Sequence, residues 1–388
     1  MRYDVFVTVW GKTFVRKFID FSLASQLAPG NLPALSKRAK IYYHIYTDKA
    51  SQSYFGSNLS NLSNYVEIKF YYFDEVPFGE GNLEQAMLNS DYKTVKHNVQ
   101  RITASHMLSE VKNSAAILMD SDFIIADGSL ARMHNLRQKG KRAVMVSLLR
   151  LNETTVSTTL QKNIDFYLNA RNLVKLCFTH MHPILAAYFV GSAVSTSYPS
   201  QLNWWVGQSG HDSAEKVGFV TKCLFPHPLM VEPDLSGNAS SAKYFSTMDY
   251  DYALRAVADD QAIHLSKNSD EILICKMSPE KYGKHSAGAV PLSRERMAQF
   301  VLNNTNIRHR IFFDQLIHFV ADQNGDWDIA NQEASNFIEE SYNIVDEIIS
   351  QTSISDPMTL VYLKSFLGPI EDFISPQIHS RMFDMLPR

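Results

Sequence analysis

The first half of this chain alternates short β-rich runs with amphipathic stretches, and few architectures accept that rhythm. "DVFVTVW", "KIYYHIYT", "VEIKFYYF", "SAAILMDSD" and "KRAVMVSLL" read as strands. Between the first two lies "GKTFVRKFIDFSLASQLAPG", where Phe14, Phe18, Phe21 or Ser22, and Leu23 fall near helical spacing before Pro29-Gly30 closes the segment. Between the third and fourth, "YKTVKHNVQRITASHMLSEVKN" has the pattern of a second helix. Apolar strands joined by helices predict a mostly parallel α/β sheet covered on both faces, because parallel neighbours need long crossovers. Ligands of such sheets bind beyond the carboxyl ends of the strands.

One strand breaks the pattern at that end. Residues 115 to 129 read AAILMDSDFIIADGS, an apolar run that stops at Asp120 and Asp122 and then resumes. Two like charges at i and i+2 repel, and each costs several kcal/mol if desolvated alone. They therefore form a solvated strand tip or meet something positive. Paired carboxylates at a strand tip suit Mg²⁺ or Mn²⁺, with substrate phosphates completing the coordination. The bland alternative is a turn in water.

Bulk composition narrows the function classes. The 388 residues are 45% hydrophobic and 20% charged, enough for one large domain or two unequal ones. A net charge of -3 gives no whole-chain reason to expect nucleic acid or an anionic membrane. Cys177, Cys223 and Cys275 are far apart and match no zinc spacing, so a reduced, cytoplasmic interior is expected. The opening "MRYDVFVTVWGK" is not a secretory signal, and "PILAAYFVG" is too short to span a bilayer. Peripheral contact with the inner face of a membrane is compatible with all of this.

The remainder divides into two stretches. Residues 150 to 245 are aromatic-rich, with no clear period. A short helix starting in "STMDYDYALRAV" and a strand at "EILICKM" follow. From about residue 292 the pattern turns helical, through "SRERMAQFVLN", "NIRHRIFFDQLIHFVADQ", "DIANQEASNFIEESYNIVDEIISQ" and "DPMTLVYLKSFLG". The expected division is a catalytic domain over 1-290 and a helical C-terminal region over 291-388.

The pieces "VFVTVW", "YYHIYTD", "VQRITASHML", "ILMDSDFII" and "DGSLARM" together resemble nucleotide-sugar-dependent glycosyltransferases of the GT-A class. The nearest type is that of glycogenin and the bacterial lipopolysaccharide galactosyltransferases. The likeness spans roughly residues 4 to 150 and is densest over "LMDSDFIIADGSL". It implies a GT-A sheet, a nucleoside-diphosphate sugar donor, and a glycan, lipid or protein acceptor, as in polysaccharide biosynthesis. It also implies Mn²⁺ or Mg²⁺ on Asp120 and Asp122, with Ser121 beside the donor. Thr8, Trp10 and Asp48 would border the nucleotide, and Arg101 would lie near the diphosphate. The third metal ligand that this class supplies, a histidine in an H-x-x-G-x-x-K motif, has no direct counterpart. His227 in "FPHPLMVEPD" is the first candidate, and His285 in the loop-like "KYGKHSAG" is its rival.

A transferase that inverts its sugar needs a carboxylate to take the acceptor proton. Asp249 and Asp251 in "MDYDY" are the candidates, although they also suit a helix start. Asp259, Asp260, Glu232 and Asp234 are weaker. His180 and His182 share one side of "THMHP" without a third ligand. "DQNGDWDIANQE" imitates a calcium loop but has Trp327 where glycine is needed. Trp204 and Trp205 suit a sugar platform or a core. No phosphate-binding loop, dinucleotide fingerprint or nucleophile elbow is present. The expected activity is metal-assisted glycosyl transfer. The alternatives are a non-catalytic carbohydrate-binding protein and a metal-dependent phosphodiesterase or phosphatase.

Overall fold

A computed structural model describes residues 1–78, 80–88, 114–208, 215–233, 250–282, 285–287, 292–305 and 307–351. Contacts divide the chain into two units that interleave in sequence. Unit 1 comprises 1–185, 226–282 and 319–322, and unit 2 comprises 186–225, 283–318 and 323–388. Unit 2 thus draws in 186–225, which the division at residue 290 assigns to the catalytic domain.

Among the described residues, ten strands make the two larger sheets of unit 1: β1 (Arg2–Thr8), β2 (Lys40–Thr47), β3 (Glu67–Tyr72), β4 (Ala115–Asp120), β5 (Phe123–Ile125), β6 (Ala143–Val146), β7 (Leu149–Asn152), β8 (His227–Val231), β9 (Ile263–Leu265) and β10 (Ile274–Ser278). Seven of them form one sheet in the order β9-β6-β8-β4-β1-β2-β3. β1 runs parallel to β2 and β4, β2 to β3, and β9 to β6. Only β8 is antiparallel, between β4 and β6. The expected mostly parallel sheet is therefore present, with helices on its crossovers. Tyr3, Val5, Val7, Ile41, Tyr43, Ile45, Ile117 and Met119 are buried in its core, as continuous apolar strands require.

The β1–β2 crossover is helical but not uniformly so. Lys12–Lys17 is α-helix, Phe18–Leu23 is π-helix, and Ala24–Gln26 returns to α. The wider π turn shifts the apolar stripe. Val15, Phe18, Phe21 and Leu23 are buried, whereas Phe14, placed on that stripe by its spacing, is exposed. The second amphipathic segment, 92–113, lies outside the described residues.

The chain from β1 turns towards β2 and β3 on one side, and β4 pairs on the other. The gap between β1 and β4 is thus a point where strand order reverses, and crevices in open α/β sheets form there. A second, three-stranded sheet, β5-β10-β7, stands just past β4 in the chain.

In unit 2 the strands Gln201–Gly207 and Lys216–Cys223 pair antiparallel. The helix Trp327–Gln351 buries Ala330, Ala334, Phe337, Ile338, Ser341, Val345 and Ile349, a three-four spacing that lays one face on a core. Trp204 packs edge-on against Phe337, and Trp205 stacks on Phe189 at 4.0 Å. Both tryptophans therefore serve packing. The described part of the C-terminal region is mainly helical as expected, with one correction, while the segment "DPMTLVYLKSFLG" lies outside the described residues. Residues 307–323 form two short turns at Ile307–His309 and Arg310–Phe313, then the strand Ile317–Val320, instead of one helix. Four apolar-rich residues read alike in either conformation when the run is that short. Among the described residues, no helix is long and apolar enough to cross a membrane.

Candidate active site at the sheet switch point

Thr8 and Asp120 are register partners at the carboxyl ends of β1 and β4, directly across the point of reversal. Ser121 and Asp122 form the turn that leads into β5. The turn is anchored through its backbone. The Ser22 hydroxyl reaches the Asp120 carbonyl at 3.4 Å, and the Met277 N–H donates to the Asp122 carbonyl at 3.0 Å. The two carboxylates are consequently held at fixed positions, both partly exposed.

Their positive partner comes from β10. The Lys276 ammonium donates to Asp120 Oδ2 and stands 3.6 Å from Asp122 Oδ1. Burial alone would depress its pKa. The charges of Asp120 and Asp122 outweigh that and hold it above the ordinary lysine value, against an opposing push from Arg150. Lys276 is paired across β7 with Arg150, and across β5 with Phe123. Arg150 donates to Ser278 Oγ at 2.7 Å and lies over the Tyr282 ring at 5.0 Å. Two carboxylates and two cations therefore share one corner of unit 1.

Sequence reasoning did not single out Lys276. Its signal was a lone lysine in "EILICKMS", between buried Cys275 and Met277 on the opposite face of the strand.

The other expected residues fall into three groups. Thr8, Trp10, Asp48 and His227 belong to the same strand edge. Trp10 packs edge-on against Phe73 at 5.4 Å. Asp48 follows β2 and caps the helix Lys49–Phe55, its Oδ1 accepting from Ser51 N at 2.6 Å and its Oδ2 from Ser51 Oγ at 2.9 Å. Ser51 Oγ in turn accepts from Gly11 N at 2.7 Å, which ties the loop after β1 to the end of β2. His227 opens β8, where its Nε2 donates to the Leu118 carbonyl at 2.9 Å and its ring meets Phe123 edge-on. That nitrogen serves the sheet.

Asp251 belongs to the helix Tyr250–Ala256, while Arg101, Asp249 and Asp234 lie outside the described residues. His285 is in a strand paired with Val194–Thr196, not in a loop. Glu232 is engaged by Arg137 at 2.8 Å, and Asp259 caps the turn Asp260–Ala262. His180 and His182 bond Thr155 and the Pro279 carbonyl, so that pair is also structural.

The fit of a divalent metal can be judged from this chemistry. Asp120 and Asp122 are suitable oxygen donors, but an ammonium already lies against both. Among the described residues no group of three His, Cys, Asp or Glu side chains could hold a metal ion. The described donor set, as it stands, is short of a metal site.

No protein-family model matches this chain, and no curated protein does. Solved structures that show partial likeness include three transferases. Staphylococcus aureus TarS is 12% identical, with 39% of this chain and 22% of that one covered at a TM-score of 0.25. Mouse xyloside xylosyltransferase 1, in its apo form, is 10% identical, with 42% and 60% covered and a TM-score of 0.28. A chain described as a glucose-1-phosphate thymidylyltransferase from Bacillus anthracis, in complex with sucrose, is 11% identical, with 39% and 55% covered and a TM-score of 0.21. All three TM-scores are low, and each match spans less than two thirds of the compared chain.

Proposed function

We propose that this chain is a glycosyltransferase of the GT-A type, moving a sugar from a nucleoside-diphosphate sugar to a hydroxyl of a glycan, lipid or protein acceptor. One observation carries the reading. Asp120 and Asp122 stand at the tip of a central parallel strand, at the reversal of strand order, in contact with a largely buried cation. A diphosphate leaving group needs fixed positive charge where its own negative charge develops, and preorganised charge in a partly dry site supplies that cheaply.

In this scheme the sheet edge at Thr8 and Trp10 borders the nucleotide, and the carboxylates orient the cation. Asp249 or Asp251 takes the acceptor proton. Orientation of donor and acceptor contributes the rest of the rate. Mn²⁺ or Mg²⁺, implied by the sequence resemblance, would need more ligands than the described residues bring together, so no step is routed through it.

The test is thermal stabilisation of the purified chain by UDP, GDP, CDP and dTDP and their sugars, with EDTA or with Mn²⁺. A nucleotide held at 100 times its dissociation constant should stabilise by about 2.7 kcal/mol. If no compound of the panel shifts the transition under either condition, the glycosyltransferase reading is wrong.

A further inference from the structure

We infer that Lys276 is the resident cation of the Asp120–Asp122 site, standing where a D-x-D site would hold a divalent metal, and that the donor's diphosphate binds against its ammonium without a metal ion. The identity of the ligand rests on the glycosyltransferase reading. The replacement of metal by ammonium does not.

The geometry makes the lysine a built part of the site. β10 is the central strand of its three-stranded sheet, so the Lys276 backbone is held on both sides. The next residue, Met277, donates its N–H to the Asp122 carbonyl, which fixes the strand to the turn that bears the acids. The side chain is only 13% exposed, and its ammonium reaches both carboxylates. A divalent cation held by these two carboxylates would have to displace the ammonium that already lies against them, and it would be repelled by Lys276 and by Arg150 across the ladder.

The donors point to an anion as the ligand. With Arg150 the corner is balanced, two carboxylates against two cations, so an anion meets no net repulsion there. Lys276, Ser278 and Arg150 share one face of β10 and β7, and an ammonium carries three N–H donors of which Asp120 takes one. A phosphate arriving at this face meets a lysine whose position is already fixed, with a hydroxyl and a guanidinium beside it. The acids then serve to place the lysine, not to ligate a metal.

The experiment has a metal arm and a nucleotide arm, both on the full chain. Mn²⁺ binding is read without nucleotide, by the loss of the free-ion paramagnetic resonance signal. Wild type should bind no stoichiometric Mn²⁺. Lys276→Gln should gain one site, which adding Asp122→Asn should remove. In calorimetry, the wild-type affinity for the best nucleoside diphosphate should change less than about 2-fold between EDTA and Mn²⁺, a difference well under 1 kcal/mol. In Lys276→Gln that affinity should fall about 10-fold or more in EDTA and recover in part with Mn²⁺.

Stoichiometric Mn²⁺ on wild type that disappears in Asp122→Asn overturns the inference, and this comparison holds even if Lys276→Gln does not fold. So does a folded Lys276→Gln chain that gains no Mn²⁺, or wild-type nucleotide binding that EDTA abolishes. If the metal arm behaves as expected while no nucleotide binds under any condition, the glycosyltransferase reading falls and the ammonium-for-metal replacement stands.

Discussion

At the residue scale, the Asp-Ser-Asp tip shows how a local electrostatic conflict is resolved at long range. The repulsion between Asp120 and Asp122 is legible in three letters of sequence. Its resolution by Lys276 is not, because 154 residues separate that lysine from Asp122 and only the pairing of β5 with β10 brings them together. Removing the ammonium leaves two carboxylates facing each other, but their partial exposure lets water screen the loss. Lys276→Met should therefore cost about 1–2 kcal/mol in urea unfolding at neutral pH, less than a fully buried pair would. In a double-mutant cycle, adding Asp120→Asn should return part of that loss, and strict additivity would show that the ion pair carries no coupling. His227 makes the complementary case. Its position at the strand edge was readable from "FPHP", yet what its Nε2 does depends on the Leu118 carbonyl across the β8–β4 pair. His227→Phe keeps the ring contact with Phe123 and orphans that carbonyl, so it should destabilise by about 1 kcal/mol. It should leave nucleotide binding unchanged, and a specific loss of binding at unaltered stability would show that the histidine acts as a ligand.

At the scale of elements, the strands were the most legible part, because continuous apolar runs of six to eight residues have few other uses. β2 begins and ends where "KIYYHIYT" does. The helices were less so. A π turn does not announce itself in apolar spacing, and Phe14, in the α-helical turn before it, is exposed although its spacing to Phe18 is helical. Two contacts at element ends can be tested directly. Asp48 caps Lys49–Phe55 through the Ser51 N–H, so Asp48→Ala should cost about 1 kcal/mol. The cap also ties down Gly11, so the same variant should loosen the loop after β1, read as faster amide exchange at Gly11 and its neighbours. Gly30 approaches the start of the helix Ser129–Gln138 so closely that a Cβ there would fall 2.7 Å from the backbone of Gly128. Its N–H also donates to Asp127 Oδ1 at 2.6 Å. Backbone cannot yield as a side-chain tip can, so Gly30→Ala should cost about 1–3 kcal/mol by overpacking. A neutral Gly30→Ala in chemical denaturation would mean that this approach is looser than the contact implies.

At the scale of the whole molecule, one boundary was out of reach of pattern reading. The segment 186–225 has strand-like runs that could join any sheet, and nothing local says that it packs with the helices of the C-terminal region. The consequence is a charged side chain in an unusual place. Lys222 lies on the strand Lys216–Cys223 of unit 2, buried, with its ammonium donating to the Asp314 carbonyl at 2.9 Å. Burial pulls its pKa down from 10.5 to about 8, against a smaller opposing effect of the Asp314 carboxylate. The sign follows from proton counting. Between pH 8 and 10.5 the unfolded chain holds this proton while the folded one releases it, so stability from this group rises with pH across that window. Below pH 8 the full penalty of about 3 kcal/mol is present, offset by about 1 kcal/mol for the hydrogen bond to Asp314. Lys222→Met removes both, so at pH 7 the variant should be more stable than wild type by about 2 kcal/mol. That advantage should shrink steadily towards pH 10.5. Buried tyrosines and cysteines with raised pKa values, Tyr252 and Cys177 among them, destabilise the fold at high pH in both chains and cancel in the comparison. Urea midpoints of the two proteins at half-unit steps from pH 7 to 10.5 decide the matter. Parallel curves would mean that Lys222 keeps an ordinary pKa and that water reaches it inside unit 2.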